Sequence, residues 1–284
     1  ACWFNKKILC LLLLPLISYS FNQKNNTWEI SILDVGQGLA VLISKNNRVI
    51  IYDVGASYPS GFNMADSVLL PILQARGVLK VDSVFISHGD NDHAGSLPQL
   101  LKGVQVTRVL TNQDRCQQNL DISWQGLRIM ALWPDDALKY SDNNASCVIK
   151  VSDQQHSILL PGDIDKSIEK QLLSLYPNQL QSDILVAAHH GSNTSSSSEF
   201  IQAVGASYII FSQGFMNRWR FPRQKVLDRF QQINHDEKTQ SQFFSTSESG
   251  QVSFVIHYNS SKPIIVKTFR QDIYPYWYAN LIHL

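Results

Sequence analysis

The stretch Val81-Asp-Ser-Val-Phe-Ile-Ser-His-Gly-Asp-Asn-Asp-His-Ala-Gly95 determines both the fold and the chemistry that we expect of this chain. Its first half is apolar and rich in β-branched residues, which predicts a buried strand. Four side chains with nitrogen or oxygen donors follow directly, namely His88, Asp90, Asp92 and His93. Short donors just past the carboxyl end of a strand can converge on one cation. The alternative is an acidic turn whose side chains bind only neighbouring backbone amides.

Two later segments repeat this pattern of an apolar strand that ends in donors. Leu159-Leu-Pro-Gly-Asp163-Ile-Asp165 presents a carboxylate after its strand, and Asp163 there can bridge two cations, whereas Asp165 suits a helix N-cap. The segment from Ser182 ends in His189, His190 and Gly191. Adjacent side chains on a strand end point to opposite faces, so we expect one histidine to face the site and the other to orient a neighbour. A lone buried histidine would more often be a hydrogen-bonded core residue.

Length and composition are those of a globular protein. With 284 residues, 44% hydrophobic and 17% charged, the chain can form one large domain or two small ones. The formal net charge of +1 excludes a global attraction to nucleic acid or anionic lipid, so such binding needs a local patch. Beyond the N-terminal segment, Cys116 and Cys147 are the one pair that can form a disulfide, and the sequence leaves open whether they meet.

The N-terminal residues 1–21 form an apolar segment in which Lys6 and Lys7 precede a run without charge. This pattern is typical of a last transmembrane helix or of a signal-peptide core. Residues 22–27 are a polar linker, and both interpretations place the domain that follows, 28–284, on the outer face of the membrane. The chain starts at Ala1 without Met, and we expect it to be part of a longer membrane protein.

The order of the predicted elements indicates the fold class. Strands lead, helices intervene and strands return in both halves of the chain, which suits an α/β fold of two packed sheets with helices outside, a four-layer αββα sandwich. Two further strands end in acidic corners, Leu33-Asp34-Val-Gly-Gln-Gly38 and Tyr52-Asp53-Val-Gly55. These corners add Asp34 and Asp53 as residues that support the site or provide further ligands.

Taken together, these motifs resemble the metallo-β-lactamase superfamily, and within it the C-terminal domain of the ComEC family of competence DNA-uptake channels. The pattern His-x-Asp-x-Asp-His-x-Gly is similar to the metal-binding signature of the superfamily, with Asp90 where many members have a second histidine. The resemblance covers nearly all of Trp28 to Leu284. It implies an αββα sandwich and a metal-dependent nuclease that degrades the DNA strand that is not imported.

The resemblance also implies roles for individual residues. Asp163 would be the bridging carboxylate, Asp92 and His189 would take part in catalysis, and His189 would stand beside the leaving group. The full implied set of metal ligands is His88, Asp90, Asp92, His93, Asp163 and His189, and the supporting or further ligands are Asp34, Asp53, Asn144, Ser146 and His190.

The chain departs from the superfamily pattern at two places. Asn143, Asn144 and Ser146 stand where many members have another histidine ligand, and Asn217-Arg-Trp-Arg-Phe-Pro222 stands where a final His-Pro motif often supplies the last one. Fewer imidazoles and more oxygen donors favour a harder ion, so we expect one or two divalent ions, with manganese preferred to zinc.

The same final stretch has a composition of its own. Basic residues alternate with aromatic ones, a pattern typical of proteins that bind single strands by phosphate pairing and base stacking. The predicted nucleic-acid contacts are Arg218, Trp219, Arg220, Arg223 and Lys225. Part of this stretch is also expected to be a solvated helix face, since Lys225 and Arg229 are four residues apart.

These observations predict a phosphodiesterase that acts on single-stranded DNA during natural transformation. Its partners would be the membrane channel portion of the same longer protein and the competence DNA-uptake machinery, and it would lie on the extracytoplasmic face of the inner membrane. Two other functions stay open. One is a metallohydrolase of a lactam, thioester or lactone, since fold does not settle substrate. The other is an inert DNA-guiding module, motivated by the missing histidines.

Overall fold

The computed structural model describes residues 27–140, 142–237, 240–258 and 263–274. The predicted apolar segment 1–21 and the linker residues 22–26 lie outside the described residues. Within the described ranges, every helix is too short or too polar to cross a membrane. The first strand begins at Thr27, one residue before the predicted start of the domain.

The described elements alternate between strands and helices along the chain. The strands are β1 (Thr27–Ile32), β2 (Val41–Lys45), β3 (Arg48–Tyr52), β4 (Lys80–Val81), β5 (Ser83–Ile86), β6 (Gln105–Val106), β7 (Val109–Thr111), β8 (Asp121–Trp124), β9 (Leu127–Trp133), β10 (Val148–Ser152), β11 (Ser157–Leu160), β12 (Ile184–Val186), β13 (Tyr208–Phe211), β14 (Gln242–Ser245), β15 (Val252–His257) and β16 (Ile264–Thr268). The α-helices are α1 (Leu70–Ala75), α2 (Asn91–Ala94), α3 (Leu97–Gly103), α4 (Lys166–Leu175), α5 (Ser198–Val204), α6 (Gln224–Glu237) and α7 (Thr246–Ser249). The short turns are π-helical at Ala65–Leu69 and Phe269–Ile273 and of the 3-10 type at Ala137–Lys139, Asp142–Ala145 and Ala188–Gly191.

The strands form two large sheets of seven strands each. The first sheet has the order β16-β15-β1-β2-β3-β5-β7, and the second has the order β14-β13-β12-β11-β10-β9-β8. Apolar side chains from both sheets, such as Ile30 and Ile149, form one central core. Helices α1 and α3 cover the outer face of the first sheet, and α4, α5 and α6 cover the second. The predicted four-layer αββα sandwich is therefore confirmed.

Strands β3 and β5 have no polar face, and β3 shows the reason. Ile50 and Tyr52 belong to the central core between the sheets, whereas Val49 and Ile51 pack under the helices on the other face. Because side chains alternate along a strand, a strand that is covered on both sides has to be apolar throughout. The same alternation holds in β5, where Phe85 faces the central core while Val84 and Ile86 face the helices.

Parallel pairing brings several strand ends to the same edge of the sandwich. In the first sheet β3, β5 and β7 run parallel, and in the second sheet β11, β12, β13 and β14 do. Ligand sites in α/β sheets form outside the carboxyl ends of such strands. Asp53 follows β3, the donor motif follows β5, and Asp163 follows β11.

The sequence predicts a strand from Ile184 to Ala188, but strand β12 is shorter, and this changes the geometry of the histidine pair. It ends at Val186. His189 and His190 lie in the 3-10 turn with left-handed backbone, at φ values of 50° and 55°. The expectation that they occupy opposite faces of a strand end is therefore wrong, because the chain has already left the sheet.

Cys116 and Cys147 form a disulfide, which answers the question that the sequence left open. Cys147 directly follows Ser146, and its backbone amide donates to the carbonyl of Ser87 at 2.7 Å. The bridge therefore ties the segment before β10 to the loop after β7, close to the donor motif.

Candidate metal centre

Polar side chains from segments far apart in the chain meet at the edge formed by the strand ends. Among the described residues, two groups can hold a metal ion, and within each group the ligand atoms lie within 4.8 Å of one another. The first group is His88, His93 and Asp163, and the second is Asp92, His93 and His190. The prediction that the separate donor motifs converge on one site is thus consistent with this arrangement of side chains.

His88 has the surroundings that a metal ligand requires. Its Nε2 is buried and has no hydrogen-bond partner among the described residues, while its Nδ1 lies 3.0 Å from the Ser87 hydroxyl and 3.3 Å from that of Ser146. A buried polar atom is rarely left unpaired without a function. Asp90 Oδ2, on an exposed side chain, lies 3.6 Å from this nitrogen. The unpaired nitrogen fits a divalent cation beside Asp90 and Asp163.

Asp53 holds His93 in place from behind. The carboxylate is fully buried, lies 2.7 Å from His93 Nδ1, and accepts hydrogen bonds from the Ser87 amide and hydroxyl at 2.7 Å each. Carboxylates that bind the far nitrogen of a histidine fix its ring for metal coordination. Burial disfavours the charged ring, but Asp163 and Asp53 outweigh that effect and raise the pKa of His93 well above its usual value. The expected supporting role suits the place that Asp53 occupies.

Asp163 belongs to the first group and also faces His190 of the second. Its Oδ1 is 3.2 Å from His93 Nε2, and its Oδ2 is 3.5 Å from His190 Nε2. Burial favours the neutral acid, yet the charges of His93 and His190 outweigh burial and hold the pKa of Asp163 well below its usual range. Two oxygens that face different imidazoles are what a bridging carboxylate needs.

His190 contributes to the second group, whereas His189 lies at its rim. His190 is 4% exposed, donates from Nδ1 to the Ser212 carbonyl at 2.8 Å, and places Nε2 3.4 Å from Asp92 Oδ2 and 3.2 Å from His93 Nε2. Burial disfavours its charged form, but Asp163 and a hydrogen bond to Asp92 raise the pKa of His190. The structure therefore brings His190, rather than His189, into a metal-binding group.

His189 keeps contact with the site through Asp163. Its Nε2 lies 3.8 Å from Asp163 Oδ2 and 3.4 Å from the Asn143 side-chain nitrogen, and its Nδ1 lies 3.2 Å from the Thr194 hydroxyl. Burial lowers the pKa of His189, against the opposing effect of Asp163. Its roles as ligand and as proton carrier stay predictions.

The other three residues expected to support the site or bind metal have different surroundings. Asp34 pairs with Arg270 at 2.9 Å, and Asn144 exchanges two hydrogen bonds of 3.0 Å with Asp165. Asp34 belongs to neither metal-binding group of the described residues. Ser146 does touch the site, since its hydroxyl contacts His88 and accepts from the Asp163 amide at 3.1 Å. Asp165 caps helix α4, as predicted.

The sequence did not identify Ser87 and Phe221 as part of the site. Ser87 binds both Asp53 and His88, and its position directly before the donor motif was the available signal. The ring of Phe221 lies 5.9 Å from that of His189 and 6.5 Å, stacked, from that of His190. It thus packs beside the turn that holds His189 and His190.

The basic and aromatic residues form a layered surface that begins at Phe221. The Trp219 ring stacks on Phe221 with a centroid distance of 6.3 Å and a tilt of 14°, and the Arg218 guanidinium lies 4.2 Å over Trp219. The Arg223 guanidinium is 5.8 Å from the Phe221 ring centroid. Lys225 is exposed on α6. We call this set, Arg218 to Arg223, the arginine-aromatic arm.

A cleft of about 700 Å³ lies next to this arm. The loop from Gln213 to Phe221 forms one side, with Arg218 and Arg220 in the lining, and Ser247 and Glu248 form the other. Phe221 lines this cleft and also packs beside the ring of His190, so a single side chain separates the cleft from the histidine pair.

Comparison with known proteins identifies the family. The family model described as "Metallo-beta-lactamase superfamily" matches residues 33–212. The chain belongs to the metallo-beta-lactamase superfamily. The crystal structure of the metallo-beta-lactamase fold protein YhfI from Bacillus subtilis superimposes on this chain with a TM-score of 0.51 at 12% sequence identity. The match covers 85% of this chain and 99% of YhfI, so the two proteins share the fold.

Curated relatives confirm the resemblance to the ComEC family of competence proteins within this superfamily. "Recombination protein 2" of Haemophilus influenzae is 34% identical over 100% of this chain and 35% of its own length. "Competence protein ComA" of Neisseria gonorrhoeae is 32% identical over 77% of this chain and 32% of its own length. "Uncharacterized protein YcaI" of Escherichia coli is 35% identical over 88% of this chain and 32% of its own length. The chain thus spans about a third of each.

Proposed function

We propose that this domain is a metal-dependent phosphodiesterase that cleaves single-stranded DNA during DNA uptake. The observation that carries the proposal is the pair of metal-binding groups that Asp163 contacts, with Phe221 of the arginine-aromatic arm packed beside His189 and His190. Phosphodiester hydrolysis by two ions uses such a pair of sites with a carboxylate between them. The names of the competence relatives support a setting in DNA uptake.

The donor set fits two divalent ions. His88, Asp90 and Asp163 would hold one ion, and Asp92, His93 and His190 would hold the other, with Asp163 between them. Such ions supply Lewis acidity, which generates a nucleophile from water and offsets the charge on the phosphate. The ligand set around His88 is rich in oxygen donors because Asp90 and Asp163 are carboxylates, and we therefore favour manganese there over zinc.

The chain's own residues orient this machinery. Asp53 fixes the ring of His93, and Ser87 and Ser146 hold Nδ1 of His88 so that Nε2 faces the carboxylates. We assign His189 to proton transfer, because its Nε2 lies at the rim of the site, within 3.8 Å of Asp163. There it can exchange a proton with the leaving sugar oxygen or with the attacking water.

Replacing Asp92 by Ala should lower metal-dependent cleavage of single-stranded DNA by at least about 100-fold, because the second group loses its one carboxylate. The measurement is the initial rate on a fluorescently labelled oligonucleotide at saturating manganese. Asp228→Ala, which removes an exposed carboxylate on α6, is the matched control and should cleave at the wild-type rate. Undiminished cleavage by Asp92→Ala would refute the assignment.

Replacing Trp219 by Ala should weaken binding of oligo(dT) about 10-fold, because stacking one base on an aromatic ring contributes roughly 1–3 kcal/mol. Fluorescence anisotropy in the Asp92→Ala background separates binding from cleavage. Phe243 is the matched control, since it is 38% exposed against 39% for Trp219 and lies on strand β14. Equal losses in Phe243→Ala and Trp219→Ala would argue against a specific role of the arm.

One observation favours a second candidate function, an inert DNA-guiding module. Ser146 stands where many superfamily members have a histidine ligand, and it is engaged in hydrogen bonds with His88 and Asp163. Calorimetric titration with manganese and zinc distinguishes the two functions, because a guiding module has to bind neither ion. DNA binding without metal binding would favour the inert guiding module. Turnover of a lactam without DNA cleavage would favour a hydrolase that acts on another substrate.

We further propose that the domain works beside the membrane channel portion of the same longer protein. The chain corresponds to about a third of the competence relatives, and its residues 1–21 are apolar. In this arrangement the domain lies on the periplasmic face of the inner membrane and meets single-stranded DNA at the channel entrance, together with the uptake machinery.

A further inference from the structure

We infer that Glu169 and Arg229 are positioning residues that hold the histidine turn, Ala188–Gly191, through the short segment Ser195–Ser197. This inference rests on the proposed function, because it assigns the two residues to the support of His190 as a metal ligand. Neither residue touches the metal-binding groups, and no part of the proposed mechanism uses them.

Glu169 is a buried carboxylate with an unusual pair of partners. It lies on helix α4, is 0% exposed, and accepts hydrogen bonds from the backbone amides of Ser196 and Ser197 at 2.5 and 2.7 Å. A buried charge is costly unless it is paired and hydrogen-bonded. Both carboxylate oxygens are therefore committed to one short stretch of backbone.

Arg229 binds the same stretch from another helix. Its guanidinium, on α6, donates to the carbonyl oxygen of Ser195 at 2.8 Å and also to that of Ser196. The segment Ser195–Ser197 is thus held between a carboxylate that binds its amides and a guanidinium that binds its carbonyls. On the helix face that was expected to be solvated, Lys225 is exposed, whereas the half-buried side chain of Arg229 turns towards this segment.

Ser195 passes this constraint on to the histidine turn. Its hydroxyl, which is fully buried, lies 2.8 Å from the carbonyl oxygen of Ala188 and 3.1 Å from that of Ser192. The Ser192 amide in turn donates to the His189 carbonyl at 2.9 Å. The residues on either side of the two histidines are therefore tied to the segment that Glu169 and Arg229 hold.

The histidine turn needs such support because of its backbone conformation. His189 and His190 are consecutive residues other than glycine with left-handed φ values of 50° and 55°. That conformation is disfavoured for L-residues and persists only where the surroundings impose it. If the support were removed, the turn would relax and Nε2 of His190 would leave its place near Asp92 and His93.

The test measures manganese binding by calorimetry for the wild type, Glu169→Gln and Ser195→Ala. We expect both variants to bind the ion that His190→Ala removes about 10-fold more weakly, and to bind the other ion as the wild type does. Raising the manganese concentration should restore cleavage in both variants. Glu199→Gln, an exposed carboxylate on α5, is the matched control and should bind both ions normally.

The outcomes separate this inference from the proposed function. A folded Glu169→Gln or Ser195→Ala protein, judged by its unfolding temperature without metal, that binds both ions with wild-type affinity would overturn the inference. If Glu169→Gln does not fold, Ser195→Ala decides, since it removes only one hydroxyl. A wild-type protein that binds metal but does not cleave DNA would refute the proposed function and leave the positioning role testable.

Discussion

Asp163→Asn is expected to reduce metal-dependent cleavage of single-stranded DNA by about 10,000-fold, the scale on which enzymes lose activity when a group shared by the whole catalytic unit is removed. The reason lies in the position of Asp163 between the two groups, with one oxygen near His93 and the other near His190. An amide keeps the size of the side chain but offers one neutral oxygen and no negative charge. One ion would therefore lose this ligand, and the other would keep only a neutral oxygen.

Two measurements check this result. Initial rates at increasing manganese concentration give the loss of activity, and calorimetry should show that at most one ion still binds, weakly. Asp121→Asn is the control, because Asp121 lies on strand β8 in an exposed pair with Arg128. Two ions bound at wild-type affinity in Asp163→Asn would exclude a bridging role for this carboxylate, whatever happens to the rate.

The second large effect concerns stability. Asp53→Ala should lower the free energy of unfolding by about 3–5 kcal/mol, because it leaves a buried partner without its counter-charge. The carboxylate accepts from the amide and hydroxyl of Ser87 and contacts His93. Without this carboxylate, the buried amide of Ser87 has no acceptor and the ring of His93 is no longer held in one orientation. Urea unfolding of the metal-free protein measures the change.

The control for this stability measurement is Asp114→Ala. Asp114 is 69% exposed and pairs only loosely with Arg115 at 3.5 Å, so its loss should change the unfolding free energy by less than about 0.5 kcal/mol. A change of that small size in Asp53→Ala would show that the buried contacts around His93 do not stabilise the fold. Weaker manganese binding by Asp53→Ala is expected as well, since the ring of His93 loses its orientation.

Much of the fold could be predicted because its signals are local. The apolar runs that become β3 and β5, the donor motif from His88 to His93, and the cap at Asp165 all depend on residues close together in the chain. The sequence also predicted that the donors at the strand ends lie close together, because parallel strands in one sheet end at the same edge. The arrangement of donors in three separate motifs was therefore sufficient to predict one site.

The parts that were missed depend on backbone turns and on distant contacts. Asp34 pairs with Arg270 and Asn144 with Asp165, contacts that the sequence did not indicate, and their expected supporting roles stay predictions. The contact of Arg229 with the carbonyl of Ser195, after the histidine turn, was not indicated by the sequence either. In each case the partner lies on an element whose position the sequence around the residue does not determine.

The amino-acid sequence by itself determined which residues carry chemistry and that strands would deliver them, because periodicity, turn residues and donor spacing act over a few neighbouring positions. Only the tertiary structure decided that His190 rather than His189 enters the second metal-binding group. That choice depends on two left-handed residues, on the Ser212 carbonyl 22 positions away, and on the support of helices α4 and α6. A preference of this kind arises from packing between distant segments, and no pattern in the local sequence encodes it.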